Sequence, residues 1–420
     1  MTGLSAADEL SKAGHLVTIF EKEKDLGGLA GYFWIDGVRL EKFYHHIFTN
    51  DTAIADKIQE LGLGDQLDWQ PTTTSFFVNK IYRLSKPTDL LKFDALNLFD
   101  RFRLGLLYLQ SRFIGDWQEL ENISAKDWLI KTAGKNVYQK VWEPLLRGKF
   151  GQYLEDVSAV WIWNKLKLRG SSRGKEQEER LGYLKGGFGQ VIDAWELKIK
   201  NQKAKIKIST EVSEIIVENG KAVGVKSNGE IEPFDQVLVT TAPEVFTKLA
   251  PDLPKEYIDR LNSIKYLANT CLLMSLDRSL SDTYWLNVGD PAIPFTGVIE
   301  HTNMQQKNDY GGKVLAYLTK YLDPIDPIYQ KNENDLLEYY LHYLQKMFKG
   351  FSKTWVKKCW VWKERYTQPV VGLNYSKIKP EFKTPINNLW YCSMASIYPE
   401  DRGMNYAVLY GQRVAEEIQK

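Results

Sequence analysis

The chain has 420 residues, 44% hydrophobic and 26% charged, which is too long for one compact core and predicts two domains. Its 55 basic and 53 acidic residues leave a formal net charge of +2, which gives no electrostatic footprint for nucleic acid. Three scattered cysteines, Cys271, Cys359 and Cys392, offer neither a disulfide framework nor a metal-ligand spacing, and no run of 18 apolar residues occurs; the sequence reads as a cytoplasmic protein without metal.

The first residues carry small and apolar side chains at helical spacing, and Gly14 suits the left-handed residue that ends a helix. Residues 16–20 form a short β-branched strand, expected to be buried, closed by Glu21. The pair Gly27-Gly28 then lets the chain pass close to another group. This order is half of a dinucleotide-binding unit, in which a strand leads into G-x-G-x-x-G, a helix and a second strand ending in an acid. Gly3 fits the third glycine, and Glu21 fits the ribose-binding acid about 20 residues on.

A helix is predicted near 52–61, and residues 94–171 read as mainly helical. The glycine-rich stretch 182–189 leads into a helix near 190–198. Strands are predicted at 205–209, 211–218 and 222–227, with Asn219-Gly220 and Asn228-Gly229 as two-residue hairpin turns. A buried strand at 236–241 ends at Ala242-Pro243, strands and helices mix over 266–366, and a last helix runs over about 404–419. The 13 Trp, 23 Tyr and 18 Phe supply either a large core or a roomy pocket for a flat, apolar ligand.

Residues 2–7, 17–22 (Val-Thr-Ile-Phe-Glu-Lys) and 26–31 (Leu-Gly-Gly-Leu-Ala-Gly) resemble the start of flavin amine oxidases, protoporphyrinogen oxidases and phytoene desaturases. The resemblance implies an α/β fold: an FAD/NAD(P)-binding Rossmann-like domain, truncated at its N-terminus, with a second mixed α+β substrate domain. It places the FAD domain at 1–75, 180–250 and 385–420, and the substrate domain, with a helical cap, at 76–179 and 251–384. FAD is the implied cofactor. Gly3, Glu21, Lys22, Gly27, Gly28 and Leu29 would bind it, joined by the backbone of Val212. Asp401, Gly403, Met404 and Asn405 open the last helix, whose N-terminus points at the flavin pyrimidine edge in that family. The middle of the chain resembles bacterial protoporphyrinogen oxidase-like proteins, most clearly at residues 142–151.

The sequence departs from that pattern at its start, where the first strand and first two fingerprint glycines are missing; the expectation is an N-terminally shortened form of a natural protein. Cys392-Ser393-Met394 also stands where many relatives have Ala-Gly-Asp, so Asp401 or Glu400 would have to replace the ribitol-binding acid. No lysine is evident to place over the flavin N5.

On the substrate side, His45 and His46 are the candidates to position substrate or move a proton. Arg147, with Lys149, is the candidate for an acidic substrate group, against the alternative of a solvated basic turn. Trp142, Trp161 and Trp163 line either pocket or core, and Glu300 and His301 are candidates to face the cavity. Residues 96–114 mix Leu, Phe and Tyr with Arg101, Arg103 and Arg112; they read as a core-facing cap helix or as peripheral contact with a membrane. The expected reaction is hydride transfer from a C–H or C–N bond of a small, mostly apolar or cyclic molecule to flavin N5, with oxygen or a quinone as acceptor. The alternatives are a non-redox isomerase like UDP-galactopyranose mutase, whose motif residues 45–50 faintly resemble, and a degenerate flavoprotein without catalysis.

Overall fold

In the computed structural model the Thr18–Phe20 strand pairs in parallel with Lys205–Lys207, and Val237–Val239 pairs in parallel with Leu389–Tyr391. The structure describes residues 1–171 and 179–420, with side chains described outside 169–171; the expected cap boundary near 179 abuts residues 172–178, which lie outside the described part. Thr18, Ile19 and Phe20 are all half-buried, where the sequence predicted a buried strand. The reason is that only one edge of this strand is paired among the described residues. Helices Thr2–Lys12 and Met404–Ile418 pack closely, with Ser5 Oγ donating to the Val408 carbonyl at 2.7 Å.

The two Asn-Gly pairs do close hairpins, with φ of 51° and 74° at Asn219-Gly220 and 51° and 83° at Asn228-Gly229. They join Val212–Glu218, Lys221–Ser227 and Glu230–Pro233 into a three-stranded antiparallel sheet.

The second body is a seven-stranded sheet in the order Val356–Pro369, Tyr266–Leu276, Val314–Leu322, Gly297–Glu300, Trp285–Val288, Thr74–Val78 and Lys80–Arg83. All its pairs are antiparallel except Trp285–Val288 with Thr74–Val78. Tyr266–Leu276 is buried along almost its whole length, which explains its apolar sequence. One face of the sheet is covered by the amphipathic helix Glu333–Met347, which inserts Leu336, Leu337, Tyr340 and Leu344.

Residues 98–171 are mainly helical, as the reading of 94–171 predicted, and are called the cap below. Asn97 and Ser124 start two of its helices, each side-chain oxygen accepting from a backbone N–H. Tyr138–Trp142 form a π-helical turn that runs directly into the helix Glu143–Phe150. The cap core contains Trp128, Trp142, Trp161 and Trp163, all buried.

Candidate functional site

A continuous set of polar and aromatic side chains joins the cap, the seven-stranded sheet and the start of the last helix. Its centre is Asp401, buried just ahead of Met404–Ile418. Its carboxylate pairs with Lys165 and accepts from Trp161 Nε1 at 3.2 Å and Gln368 Nε2 at 3.3 Å. Burial alone would push this carboxyl up; Lys165, Lys149 and Arg402 outweigh that and hold it well below the usual carboxylate range. Gln368 accepts from Arg402 Nε at 3.0 Å through its amide oxygen, so one side chain bridges the acid and the guanidinium. Arg402 in turn donates to the Tyr321 hydroxyl at 2.9 Å.

Lys149 completes the group. Its ammonium lies 4.7 Å from the centre of the Tyr321 ring and 5.3 Å from that of Trp161. Burial lowers its pKa to about 8. Burial also pushes Tyr321 up, but Lys149 and Arg402 outweigh it and the net shift is downward. Lys149, Lys165 and Arg402 thus all act on the Asp401 carboxylate, and Lys165 also acts on Asp51, which leaves Lys149 and Arg402 as the two cations beside Tyr321. Tyr44, which bonds to Tyr321 and meets the Trp285 ring edge-on at 5.1 Å, links this cluster to the segment carrying the two histidines.

His45 Nδ1 lies 2.6 Å from the Phe43 carbonyl, and burial lowers its pKa to about 4. A carbonyl only accepts, so Nδ1 carries the proton and the neutral ring keeps its lone pair on Nε2. His46 Nδ1 lies 3.0 Å from the Tyr284 hydroxyl, and its ring meets Phe48 and Trp285 edge-on.

The remaining sequence candidates fall in two places. Glu21 follows the first strand with one carboxylate oxygen accepting from Glu23 N at 3.0 Å. Thr210 N donates to the Glu21 carbonyl at 2.9 Å, which brings the start of the Val212–Glu218 strand alongside it. Gly3 lies in the first turn of the first helix, where a Cβ would meet Thr240 Oγ1 at 3.4 Å. Gly27 and Gly28 adopt φ of 112° and 56°, and Leu29 is half-buried in the turn that follows. Gly28 and Gly403 are exposed and a Cβ on either would meet nothing within 4 Å, so both backbones are open to approach; with the Glu21 carboxylate accepting a single hydrogen bond among the described residues, their chemistry is compatible with a dinucleotide. Lys22 is exposed and faces Glu23 at 3.8 Å. Met404 is buried, and Asn405 spends its amide oxygen on Ile54 N at 3.2 Å, fastening the Thr52–Glu60 helix.

Arg147 is exposed and paired with Glu143 at 2.7 Å, whereas Lys149, two residues on, turns inward. Glu300 does not face a cavity: it is buried and accepts from Ser279 Oγ, Leu280 N and Ser281 N. His301 is likewise buried, bonded to the Tyr310 hydroxyl at 2.8 Å. Trp142 and Trp163 belong to the cap core, while Trp161 serves both core and site. Tyr321, Tyr44, Gln368 and Lys165 carry no local sequence signal; Arg402 lies between Asp401 and Gly403, in the segment that opens the last helix. No group of three or more His, Cys, Asp or Glu suited to a metal occurs among the described residues.

The profile of the family described as flavin containing amine oxidoreductase matches residues 1–419. Among curated proteins, the coproporphyrinogen III oxidase of Staphylococcus aureus is 26% identical over 279 residues, 59% of this chain and 59% of that protein. The matched region therefore spans about three fifths of that relative's length. Among solved structures, a protein of Exiguobacterium sp. 255-15 assigned to protoporphyrinogen oxidation superposes with a TM-score of 0.79 at 18% identity, covering 100% of this chain and 96% of that one. A reduced UDP-galactopyranose mutase superposes with a TM-score of 0.77 at 14% identity, covering 100% and 93%. At these identities the superpositions show a shared fold.

Proposed function

Because the chain belongs to the flavin-containing amine oxidoreductase family, with FAD as its cofactor, we propose that it oxidises a C–H or C–N bond of a flat, mostly apolar substrate bearing a carboxylate. The observation that carries this reading is the pair of cations around Tyr321: among the described residues Lys149 makes no hydrogen bond or ion pair, and Arg402 donates to neutral oxygens. A substrate carboxylate would complete the charge balance, and a planar apolar body would lie against Trp161, Phe150 and Tyr44.

Glu21, Gly27, Gly28, Leu29, Val212, Gly403 and Met404 are the residues that would hold FAD, with Gly3 at the first helix start. When bound, FAD supplies the hydride acceptor. The chain's residues do the rest. Lys149 and Arg402 fix the acidic end of the substrate, which sets which bond is presented. His45, neutral at physiological pH, offers Nε2 as acceptor for a proton released with the hydride. The buried Tyr321 and Trp161, with the half-buried Tyr44, keep water from the reacting bond.

The test is anaerobic mixing of the flavin-loaded protein with carboxylated cyclic amines and with porphyrinogens, following bleaching of the flavin band. Bleaching by carboxylated substrates and not by their esters is expected. If no such compound bleaches the flavin, the reading is wrong. A diphosphate would also satisfy the two cations, which supports a second reading, a sugar-nucleotide isomerase. Turnover of a nucleotide sugar only after dithionite reduction would establish that alternative.

A further inference from the structure

A cavity of about 540 Å³ lies between the helices Pro243–Leu249 and Lys255–Ser263, the turn that carries Tyr153, and the two strands that carry Tyr266 and Tyr366. That volume falls in the usual range for a small-molecule site. Tyr266 and Tyr366 meet edge-on at 5.9 Å, and Tyr153 adds a third ring to the lining. Ile258, Leu261 and Ile264 supply aliphatic wall. The lining acids are already engaged. Glu244 pairs with Lys248 at 2.8 Å and stands 3.7 Å from Arg365, and Asp323 accepts from Gln152 Nε2 at 3.3 Å and from Ile325 N at 3.0 Å. Lys265 is exposed, and no described residue holds its ammonium. Asn262 accepts from Thr247 Oγ1 at 3.2 Å through its amide oxygen, which leaves its N–H groups as donors. The cavity therefore combines aromatic and aliphatic walls with an ammonium and an amide donor.

Three adjacent strands connect this cavity to the cluster around Tyr321. Val356–Pro369 carries Tyr366 in the cavity lining and Gln368 in the cluster. On Val314–Leu322 and the turn after it, Tyr321 belongs to the cluster and Asp323 to the lining. Between these two runs Tyr266–Leu276, whose Leu267 stands opposite Gln368 and whose Tyr266 stands opposite Pro369. Two residues of strand span about 7 Å, so the cavity and the cluster are immediate neighbours. Tyr266 is shared between them: its ring lines the cavity, and its buried hydroxyl lies beside Ser393 in the field of Arg402. We propose that the cavity is an outer binding site for planar carboxylates, where Lys265 and Asn262 hold the acid and the tyrosine rings hold the flat body, one side chain away from Arg402. The choice of ligand class rests in part on the carboxylated substrate proposed above, and the outer site would capture that substrate before it reaches Lys149 and Arg402.

The test is equilibrium dialysis of the flavin-loaded full chain against anthranilate, a planar aromatic carboxylate, with methyl anthranilate as the uncharged control. The wild type is compared with Lys265→Glu, which reverses the charge in the cavity, and with Lys149→Met, which removes a cation from the inner cluster. Lys265 is exposed, and an unchanged circular dichroism melt confirms that its variant folds. The expected result is two anthranilates per wild-type chain and one in each variant, with the Lys265-dependent site at least about tenfold weaker for the ester. A stoichiometry that Lys265→Glu leaves unchanged overturns the proposal, as does a Lys265-dependent site that takes the ester equally well. One anthranilate lost only in Lys149→Met overturns the outer site and leaves the carboxylate reading of the cluster standing. One lost only in Lys265→Glu supports the outer site and overturns that reading. No anthranilate bound to the wild type overturns both.

Discussion

The ammonium of Lys149 stands 4.7 Å from the centre of the Tyr321 ring, and no hydrogen bond or ion pair among the described residues holds it. Its folded pKa, lowered by burial to about 8, lies below its ordinary value of 10.5. Between those two values the unfolded chain binds the proton more tightly, so stability rises with pH across that window and is flat below it. Lys149→Met should abolish that rise and leave the protein no less stable at pH 7. Denaturant titrations at pH 7 and pH 10 measure both effects, and a variant that loses stability at pH 7 would show that Lys149 has a structural partner.

The Glu21 side chain makes one hydrogen bond among the described residues, accepting from Glu23 N. Glu21→Ala should leave the melting of the flavin-free protein unchanged while weakening FAD binding by about 10- to 100-fold, the worth of a charge-assisted hydrogen bond. Fluorescence titration with FAD measures it. Equal affinity in variant and wild type would remove Glu21 from the cofactor site.

Glu41 is buried, accepting from Tyr183 Oη at 2.7 Å and Phe188 N at 2.6 Å, and burial raises its pKa to about 7 from an ordinary 4.5. A raised folded pKa means that its stabilising share is full below pH 4.5 and is lost as pH climbs through 7. The loss is at most about 3 kcal/mol. Glu41→Gln, which mimics the protonated form, should flatten the fall in melting temperature between pH 5 and pH 8, as read by calorimetry. An unchanged slope would mean that the carboxylate is already ionised at pH 5.

Gly27 and Gly28 should tolerate alanine unequally. At Gly27, φ is 112° and a Cβ would lie 2.5 Å from Ile192 Cδ1, so Gly27→Ala should cost about 2–4 kcal/mol. At Gly28, φ is 56° and a Cβ meets open space, so Gly28→Ala should cost about 1 kcal/mol. Urea unfolding of both variants checks the order. Equal losses would mean that the turn rearranges.

The elements at the start of the chain were legible because their signals are local. Gly3, Glu21 and the Gly27-Gly28 pair are fixed by spacing along one continuous unit, and the Asn-Gly turns announce themselves by composition. The charge cluster was not legible in the same way. Lys149, Tyr321, Gln368 and Arg402 come from a cap helix, two different strands and the lead-in to the last helix, and only tertiary packing brings them together. Arg147 and Lys149 are two residues apart on one helix and so point in different directions; which one faces inward is set by what packs on that helix. Glu300 and His301 misled for a related reason, since polar residues at a strand end serve loop anchoring as readily as ligand contact. Residues 98–113 show a third kind of limit. Their composition supports a core-facing helix and a surface-seeking one alike, and only the exposure of Leu98, Phe99, Phe102 and Phe113 separates the two.

The widened turn at Tyr138–Trp142 gives the site a dependence on chain length. A π-turn holds one residue more than an α-turn, so losing one residue there would restore an ordinary turn and leave Lys149 facing Tyr321. Losing one residue from the α-helical Glu143–Phe150 instead would turn Lys149 by about 100° although none of the site's charged residues had changed. Among descendants of this gene, the helix should therefore tolerate a one-residue deletion at 138–142 and lose the site to one just after it.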